Sequence, residues 1–238
     1  MNGILTCAKY AFAPNFYQYC GPDENQELKA YLNAQQNDKN LDRMLKQFST
    51  LISYLKSIAH ANKIADPFDP RVVEAYWIGN DLLENVPAQS VYLGLTDNLQ
   101  IQKKIPQKYL KYIFPKIDQG ARFHHSFHVF NVFVRTGHHT ITHTVDTMDQ
   151  CRIAWGKIKK INQQSLLLDS QQLVYLDGKL LFKNKVERTI QFFTKEKFKV
   201  GDYVTFHWGF LCDKVSKEQA DNLKKYTQFH LDLANQTL

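Results

Sequence analysis

The stretch LVYLDGKLLF (residues 173–182) consists of two apolar runs joined by Asp177-Gly178. An Asp-Gly pair is typical of the two-residue turn of a β-hairpin, because both turn positions take positive φ angles. Other short runs rich in β-branched, leucine and aromatic residues lie on either side of it, at Ser165–Leu168, Thr189–Phe193 and Tyr203–His207. Runs of this length and composition predict strands. The second part of the chain is therefore expected to form a small β-barrel.

A helix is expected to close the chain. Ser216 and Gln219 have the spacing of a capping box, in which each side chain hydrogen-bonds the backbone of the other residue. Apolar residues follow at helical spacing: Ala220, Leu223, Tyr226 and Leu231. Five short strands and a helix within residues 150–238 fit an OB-like barrel.

Residues 1–149 are predicted to form a mostly helical domain. Apolar residues recur three and four positions apart over residues 40–63, which predicts one long helix. Asp69 as N-cap and Pro70 at the first helical position predict the start of the next. Another helix is expected from Gly21 to about Leu32, with weaker candidates over 88–96, 107–113 and 123–134. The fold class is α+β, with domains 1–149 and 150–238.

The connection between the two predicted domains is not a flexible linker. Between Gly137 and Cys151 there is no Pro-rich or Gly/Ser-rich tract of the kind that separates independent domains. We therefore expect the barrel to pack closely on the helical domain and the cleft between them to be the working site.

Composition limits the class of protein. With 238 residues, 44% of them hydrophobic, the chain can bury a substantial core. No apolar run approaches the roughly 18–20 residues that cross a bilayer, and no basic stretch precedes an apolar one at the N-terminus. A cytoplasmic protein without a membrane partner is expected. Nearly all of the formal charge of +7 follows residue 150, which leaves nucleic-acid binding by the basic barrel as an alternative that we do not favour.

Cys20 is the first candidate for chemistry. Four cysteines are too few and too scattered for a disulfide framework in a chain of this length. Cys20 directly precedes the helix predicted at Gly21, where free N–H groups would stabilise a thiolate. With a nearby histidine it could act as the nucleophile of a thiol enzyme. A small buried residue at a tight turn is the structural alternative.

A histidine cluster is the second candidate. On a helix, His124 and His128 would lie on one face four residues apart, a spacing that binds zinc when further ligands converge. The sequence contains no HExxH or CxxC motif that would supply those ligands. Hydrogen-bonded core histidines are therefore the alternative interpretation.

Two separated motifs resemble one known family. The stretch VGDYVTFHWGF (200–210), followed by VSKEQA (215–220), is similar to the HypC/HupF signature, in which a strand leads to H-x-G-F and an acidic helix. CRIAWGKI (151–158) is similar to the opening Cys-x-x-x-Pro-Gly-x-Ile/Val of that family. Cys151 is internal, however, whereas the family cysteine is N-terminal, and Trp155 stands where proline is usual.

The resemblance implies a role in [NiFe]-hydrogenase maturation. The cysteine of the family, here Cys151, helps to hold an iron–cyanide–carbonyl fragment together with a maturase, and the chaperone then contacts the precursor of the hydrogenase large subunit. The family histidine corresponds to His207. The whole chain also resembles an uncharacterised bacterial family at residues 7–10, 19–23, 127–129 and 151–153.

A non-enzymatic maturation protein or metallochaperone is the function that these observations favour. Thiolate and imidazole ligands suit iron, nickel or zinc better than magnesium or calcium. The expected ligands are Cys151 and His207 on the barrel, with His124 and His128 from the helical domain. The expected partner is a maturase or a metalloenzyme precursor. The thiol enzyme and the nucleic-acid-binding module remain the alternatives.

Overall fold

The computed structural model describes residues 2–133, 142–194 and 196–238. It has mixed α+β architecture, as predicted: helices precede a five-stranded sheet, and one long helix follows it. Gly137 could cap the helix predicted over 123–134. That glycine and the last residue of the predicted helix lie outside the described residues. Where the chain is described, no helix combines the length and the apolar character needed to cross a bilayer.

All helices but the last precede the strands along the chain, and the last helix follows them. The helices are α1 (Gly3–Phe16), α2 (Asn25–Ala34), α3 (Lys39–Lys46), α4 (Ser49–Ala61), α5 (Pro70–Trp77), α6 (Ala88–Leu93), α7 (Ile101–Lys104), α8 (Gln107–Ile113), α9 (Pro115–Asp118), α10 (His125–Phe127), α11 (Val145–Cys151) and α12 (Lys217–Asn235). The strands are β1 (Ala154–Ile161), β2 (Ser165–Leu176), β3 (Lys179–Gln191), β4 (Tyr203–His207) and β5 (Phe210–Val215). π-helical turns over Gly94–Asn98 and His128–Val132 extend α6 and α10.

Local sequence rules predict several helix ends correctly. The Asp69 side chain accepts a hydrogen bond from the Arg71 backbone, and Pro70 is the first residue of α5. Ser216 and Gln219 form the expected capping box at the start of α12. The single helix predicted over 40–63 is wrong, because the chain breaks into α3 and α4. At the break Phe48 takes a non-helical ψ of 84°. Since it remains buried, the apolar stripe continues across the interruption.

The structure has the expected number of strands, but two of them are much longer than the apolar runs suggested. The four runs around Asp177-Gly178 merge into β2 and β3, which pair along their whole length as one antiparallel hairpin. Asp177 and Gly178 have φ angles of 51° and 78°, which confirms the predicted turn. β4 has the predicted bounds. β1 and β5 complete the sheet.

The sheet curves round so that its first and last strands pair. Its order is β1-β2-β3-β5-β4, and β1 also pairs antiparallel with β4. β3 and β5 share a single parallel residue pair, Gln191 with Phe210, so the sheet is not a regular barrel. Its interior holds a small separate apolar core formed by Ala154, Ile158, Leu166, Leu168, Ile190, Val204 and Phe206.

A larger core joins the helices to the outside of the sheet. It runs from Cys7 on α1 through the helices to strand residues such as Leu173 and Cys212. Polar contacts accompany it: the Tyr10 hydroxyl lies 2.9 Å from Thr205 Oγ1, and Lys9 forms a 2.9 Å ion pair with Asp213. The helical residues thus pack directly against β4 and β5. The proposed domain division after residue 149 stays a prediction.

A buried ionic cluster fixes the junction between α11 and the sheet. Asp149, only 3% exposed, accepts hydrogen bonds from the Leu173 backbone at 3.0 Å and from Arg152 Nε at 2.9 Å. Its second oxygen accepts from Arg188 on β3. Arg152 also donates to the Gln171 carbonyl at 2.9 Å. One carboxylate therefore ties the end of α11 to both β2 and β3.

Removal of this carboxylate should strongly destabilise the protein. Asp149→Asn leaves two arginines in a buried site without a counter-charge, so we expect a loss of about 3–5 kcal/mol in the free energy of unfolding. Urea unfolding followed by circular dichroism measures it. Asp221→Asn, which removes the exposed Lys217–Asp221 pair, is the matched control and should cost less than about 1 kcal/mol. Equal losses in the two variants would contradict this role of Asp149.

Candidate metal centre

Two histidines and a cysteine converge where α10, α11 and β4 meet. His125 is the first residue of α10, Cys151 the last residue of α11 and His207 the last residue of β4. Each offers one metal-ligating atom, and the three atoms lie within 4.8 Å of one another. The three residues are buried, with His207 only 1% exposed. The arrangement could therefore hold a metal ion.

His207 is oriented toward the group by the backbone of α1. Its Nδ1–H donates to the Tyr10 carbonyl at 2.8 Å, which fixes the tautomer and places the lone pair on Nε2. Among the described residues, no group makes a hydrogen bond of normal geometry to this buried Nε2. Metal-binding histidines commonly donate their second N–H to a backbone carbonyl in this way. Nε2 is thus the available ligand atom.

His125 has partners at both ring nitrogens. Nε2–H donates to the Cys151 carbonyl at 2.9 Å, and this leaves Nδ1 to accept from the Tyr76 hydroxyl at 3.1 Å. The Trp77 ring packs beside it, with centroids 4.7 Å apart. A metal ion bound at Nδ1 would have to displace the Tyr76 hydroxyl.

Cys151 is held in place by its neighbours in the chain. Asp149 and Arg152 fix the backbone around it through the ionic cluster. The Trp208 backbone N–H donates to the Gln150 carbonyl at 2.9 Å, which ties the end of β4 to the same turn. Cys151 and His207 therefore remain neighbours because a backbone hydrogen bond joins the residues next to them, Gln150 and Trp208.

A small cavity opens beside the three donors. Its volume is about 50 Å³, and since a cavity needs roughly 10–15 Å³ to hold one water molecule, it has room for a few. None of the described side chains that line it is a carboxylate. They belong to Ala11, Pro14, Cys20, Phe48, Thr50, Leu51, Tyr76, Trp77, His125, His128, Cys151 and His207.

Burial keeps the histidines of this centre neutral. It lowers the pKa of His207 to about 4, although the backbone of Tyr10 and that of Cys151 partly oppose this shift. The pKa of His125 lies well below its ordinary value, chiefly through burial and then through the charge of His207. Both imidazoles are consequently unprotonated at neutral pH, the state that metal binding requires.

Comparison with known proteins gives a family without an assigned activity. The family of unknown function DUF6390 matches residues 1–238, the whole chain. The chain belongs to DUF6390. No curated protein and no solved structure matches it. These comparisons do not support the HypC/HupF resemblance.

In this DUF6390 protein the sequence-predicted residues have different positions. Cys151 and His207 belong to the three-donor group, whereas Cys20 and His128 line the adjacent cavity. His124 is outside both: its ring stacks on Tyr226, and its Nδ1 lies 2.7 Å from Ser126 Oγ. His124 caps α10 instead of lying on a helical face with His128. The pairing argued from four-residue spacing therefore does not occur.

His125 is the ligand candidate that the sequence interpretation missed. The sequence shows three histidines within five residues, and the four-residue spacing favoured His124 and His128 over His125. The predicted helix start at Gly21 is wrong, because α2 begins only at Asn25, so Cys20 does not directly precede a helix N-terminus. Cys20 lies in the turn between α1 and α2 instead.

The buried histidines of the DUF6390 protein should make it unstable in mild acid. Burial lowers the pKa of His124 to about 3 and of His207 to about 4, and those of His125 and His230 also fall well below the ordinary value. As the pH falls below about 6.5, the unfolded chain takes up protons that the folded chain does not. Stability is therefore lost from about pH 6.5 downward.

Urea unfolding of the metal-free protein measures this loss. With four such histidines, we expect the free energy of unfolding to fall by about 5 kcal/mol between pH 7.5 and 5.5. His207→Asn should reduce the fall by about 1.4 kcal/mol, whereas a variant at the exposed His60 should leave it unchanged. A fall below about 1 kcal/mol in the unmodified protein would show that these histidines are not kept neutral.

Proposed function

We propose that this protein binds a transition-metal ion through His125, Cys151 and His207. The observation that carries the proposal is the convergence of three donor atoms, within 4.8 Å of one another, from three separate elements. The open Nε2 of His207 adds to it. Because α10 belongs to the helical part and β4 to the sheet, a bound ion would join these two parts of the molecule.

The donor separations are compatible with a tetrahedral centre after a small contraction. Zinc–nitrogen bonds of about 2.0–2.1 Å and zinc–sulfur bonds of about 2.3 Å place tetrahedral ligand atoms roughly 3.3–3.7 Å apart. Atoms now up to 4.8 Å apart would have to approach by about 1.1–1.5 Å. Side-chain rotations of His207 and Cys151 could supply this, while His125 exchanges the Tyr76 hydroxyl for the ion.

The donor set limits the choice of metal. One thiolate and two imidazoles suit zinc, iron or nickel, whereas magnesium and calcium prefer oxygen ligands. In the part of the chain that the structure describes, no carboxylate lines the cavity. A hard, oxygen-preferring cation therefore has no suitable ligands here.

A narrower proposal is that the protein delivers the bound ion to a partner protein. The partner would be a metalloenzyme precursor, such as that of the [NiFe]-hydrogenase large subunit. The HypC/HupF resemblance of residues 151–158 and 200–220 supports it, and the five-stranded order β1-β2-β3-β5-β4 is compatible with an OB-like sheet. Because His125 and His207 are buried, delivery would require the site to open toward the partner. No catalytic step is needed for this role.

Metal analysis after equilibrium dialysis tests the broader proposal. We expect the chelator-treated protein to take up one zinc ion per chain, and Cys151→Ser and His207→Asn to weaken binding by at least about 100-fold, more than the loss of an outer hydrogen-bond partner. Cys212→Ala, which removes a buried thiol outside the cavity, and His60→Gln are the controls and should retain binding. Circular dichroism confirms that each variant is folded.

The outcomes distinguish the broad proposal from the narrow one. Zinc, iron and nickel uptake that is absent, or unchanged in both ligand variants, would contradict metal binding at this centre. If metal binds but the loaded protein does not co-elute with the hydrogenase large-subunit precursor in size-exclusion chromatography, the metal site stands and the hydrogenase role is wrong.

Thiol chemistry is the second candidate, because His207 is oriented as a general base would be. The Tyr10 carbonyl accepts its Nδ1–H, and one ring nitrogen of His207 lies within 4.8 Å of the Cys151 sulfur. Against this, Cys151 ends α11, where the negative end of the helix dipole disfavours a thiolate. Labelling of Cys151 or Cys20 by iodoacetamide at pH 7, faster than for a thiol of pKa about 8.5, would favour the enzyme. Slow labelling blocked by zinc would favour the metal site.

A further inference from the structure

The turn that carries Cys20 lies beside the cavity and is hydrogen-bonded to α1. The buried Asn15 side chain donates to the carbonyls of Cys20, at 3.2 Å, and Pro22, at 2.6 Å. Gly21 has a φ of +87° and lies against the Phe48 ring, where an added Cβ would come within 2.3 Å. Cys20 lines the same cavity as His125, Cys151 and His207.

The same turn contacts the residue that follows His207. Tyr19 packs on the Trp208 ring, with centroids 4.7 Å apart. This contact connects the Cys20 turn to the end of β4, so the turn and the His207 ligand are positioned together. Cys20 thus lies on an ordered wall of the cavity.

The charge of a bound ion gives Cys20 a specific role. A divalent ion with one thiolate and two neutral imidazoles retains a net charge of +1 in a site with little access to water. An uncompensated buried charge is costly. Among the described residues, the cavity wall offers no carboxylate. The imidazole of His128 carries no negative charge and cannot compensate it either.

A thiol is the remaining lining group that can do so. A thiol that coordinates a divalent metal ion is deprotonated outright, so a second thiolate makes the centre electrically neutral. Cys20 Sγ is not within 4.8 Å of all three donors in the metal-free arrangement. Its turn would therefore have to move toward the ion on binding.

Given the proposed metal site, on which this inference rests, we propose that Cys20 is its fourth ligand. The centre is then a four-coordinate His₂Cys₂ site formed by Cys20, His125, Cys151 and His207. Four protein ligands are typical of structural zinc sites, whereas catalytic zinc sites keep one coordination position for water. A soft divalent ion is bound without an external ligand, and the Cys20 turn covers it.

Cobalt(II) substitution counts the thiolate ligands. In the full-length protein loaded with one cobalt ion, we expect the near-ultraviolet thiolate-to-cobalt band to reflect two thiolates. In Cys20→Ala, with cobalt still bound, the band per bound cobalt should fall to about half, because one of two thiolates is lost. Cys212→Ala is the control and should retain the full band. Added azide should change the spectrum of Cys20→Ala, which has an open position, and not that of the unmodified protein.

Each outcome bears on one of the two proposals. An unchanged band in Cys20→Ala, or an azide-induced change in the unmodified protein, would overturn the assignment of Cys20 and leave the three-residue site intact. Failure of the unmodified protein to bind cobalt or zinc would contradict the metal site itself, and with it the fourth ligand. If Cys20→Ala does not fold, X-ray absorption of the zinc-loaded unmodified protein decides: two sulfur ligands support the assignment and one refutes it.

Discussion

A carboxylate buried between two arginines fixes the end of α11, and the candidate centre depends on it. Asp149 bonds Arg152, Arg188 and the Leu173 backbone, so that the turn containing Cys151 is fastened to β2 and β3. The attraction is strong because the group is shielded from water, and the loss of one member would leave an unpaired buried charge. Cys151 therefore has a fixed position relative to the sheet, close to His125 and His207.

The protonation state and the metal preference of the centre result from its burial. Neutral imidazoles cost less in a low-dielectric site than charged ones, and this is the form that a metal ion binds. An apolar wall without carboxylates excludes hard cations and leaves thiolates to compensate the charge of a soft one. Ligands from α10, α11 and β4 would make the ion a link between the helices and the sheet, so metal binding and folding stability should be coupled.

Features set by neighbouring residues could be predicted from the sequence, whereas those set by distant packing could not. The Asp177-Gly178 turn and the Ser216 capping box depend on a few adjacent residues, and both occur. The break at Phe48 and the late start of α2 depend on how the helices pack, and an apolar periodicity does not show them. Cys151 and His207 were found through motif resemblance. His125 was missed because the start of α10 decides which histidine of the cluster faces the sheet.

Anomalous diffraction from crystals of the zinc-loaded protein, measured on both sides of the zinc absorption edge, tests the central claim most directly. The account predicts a strong difference peak in the cavity, about 2.3 Å from Cys151 Sγ and about 2.0–2.1 Å from a ring nitrogen of His207 and one of His125. Zinc peaks confined to surface histidines or carboxylates, with none between α10, α11 and β4, would contradict it.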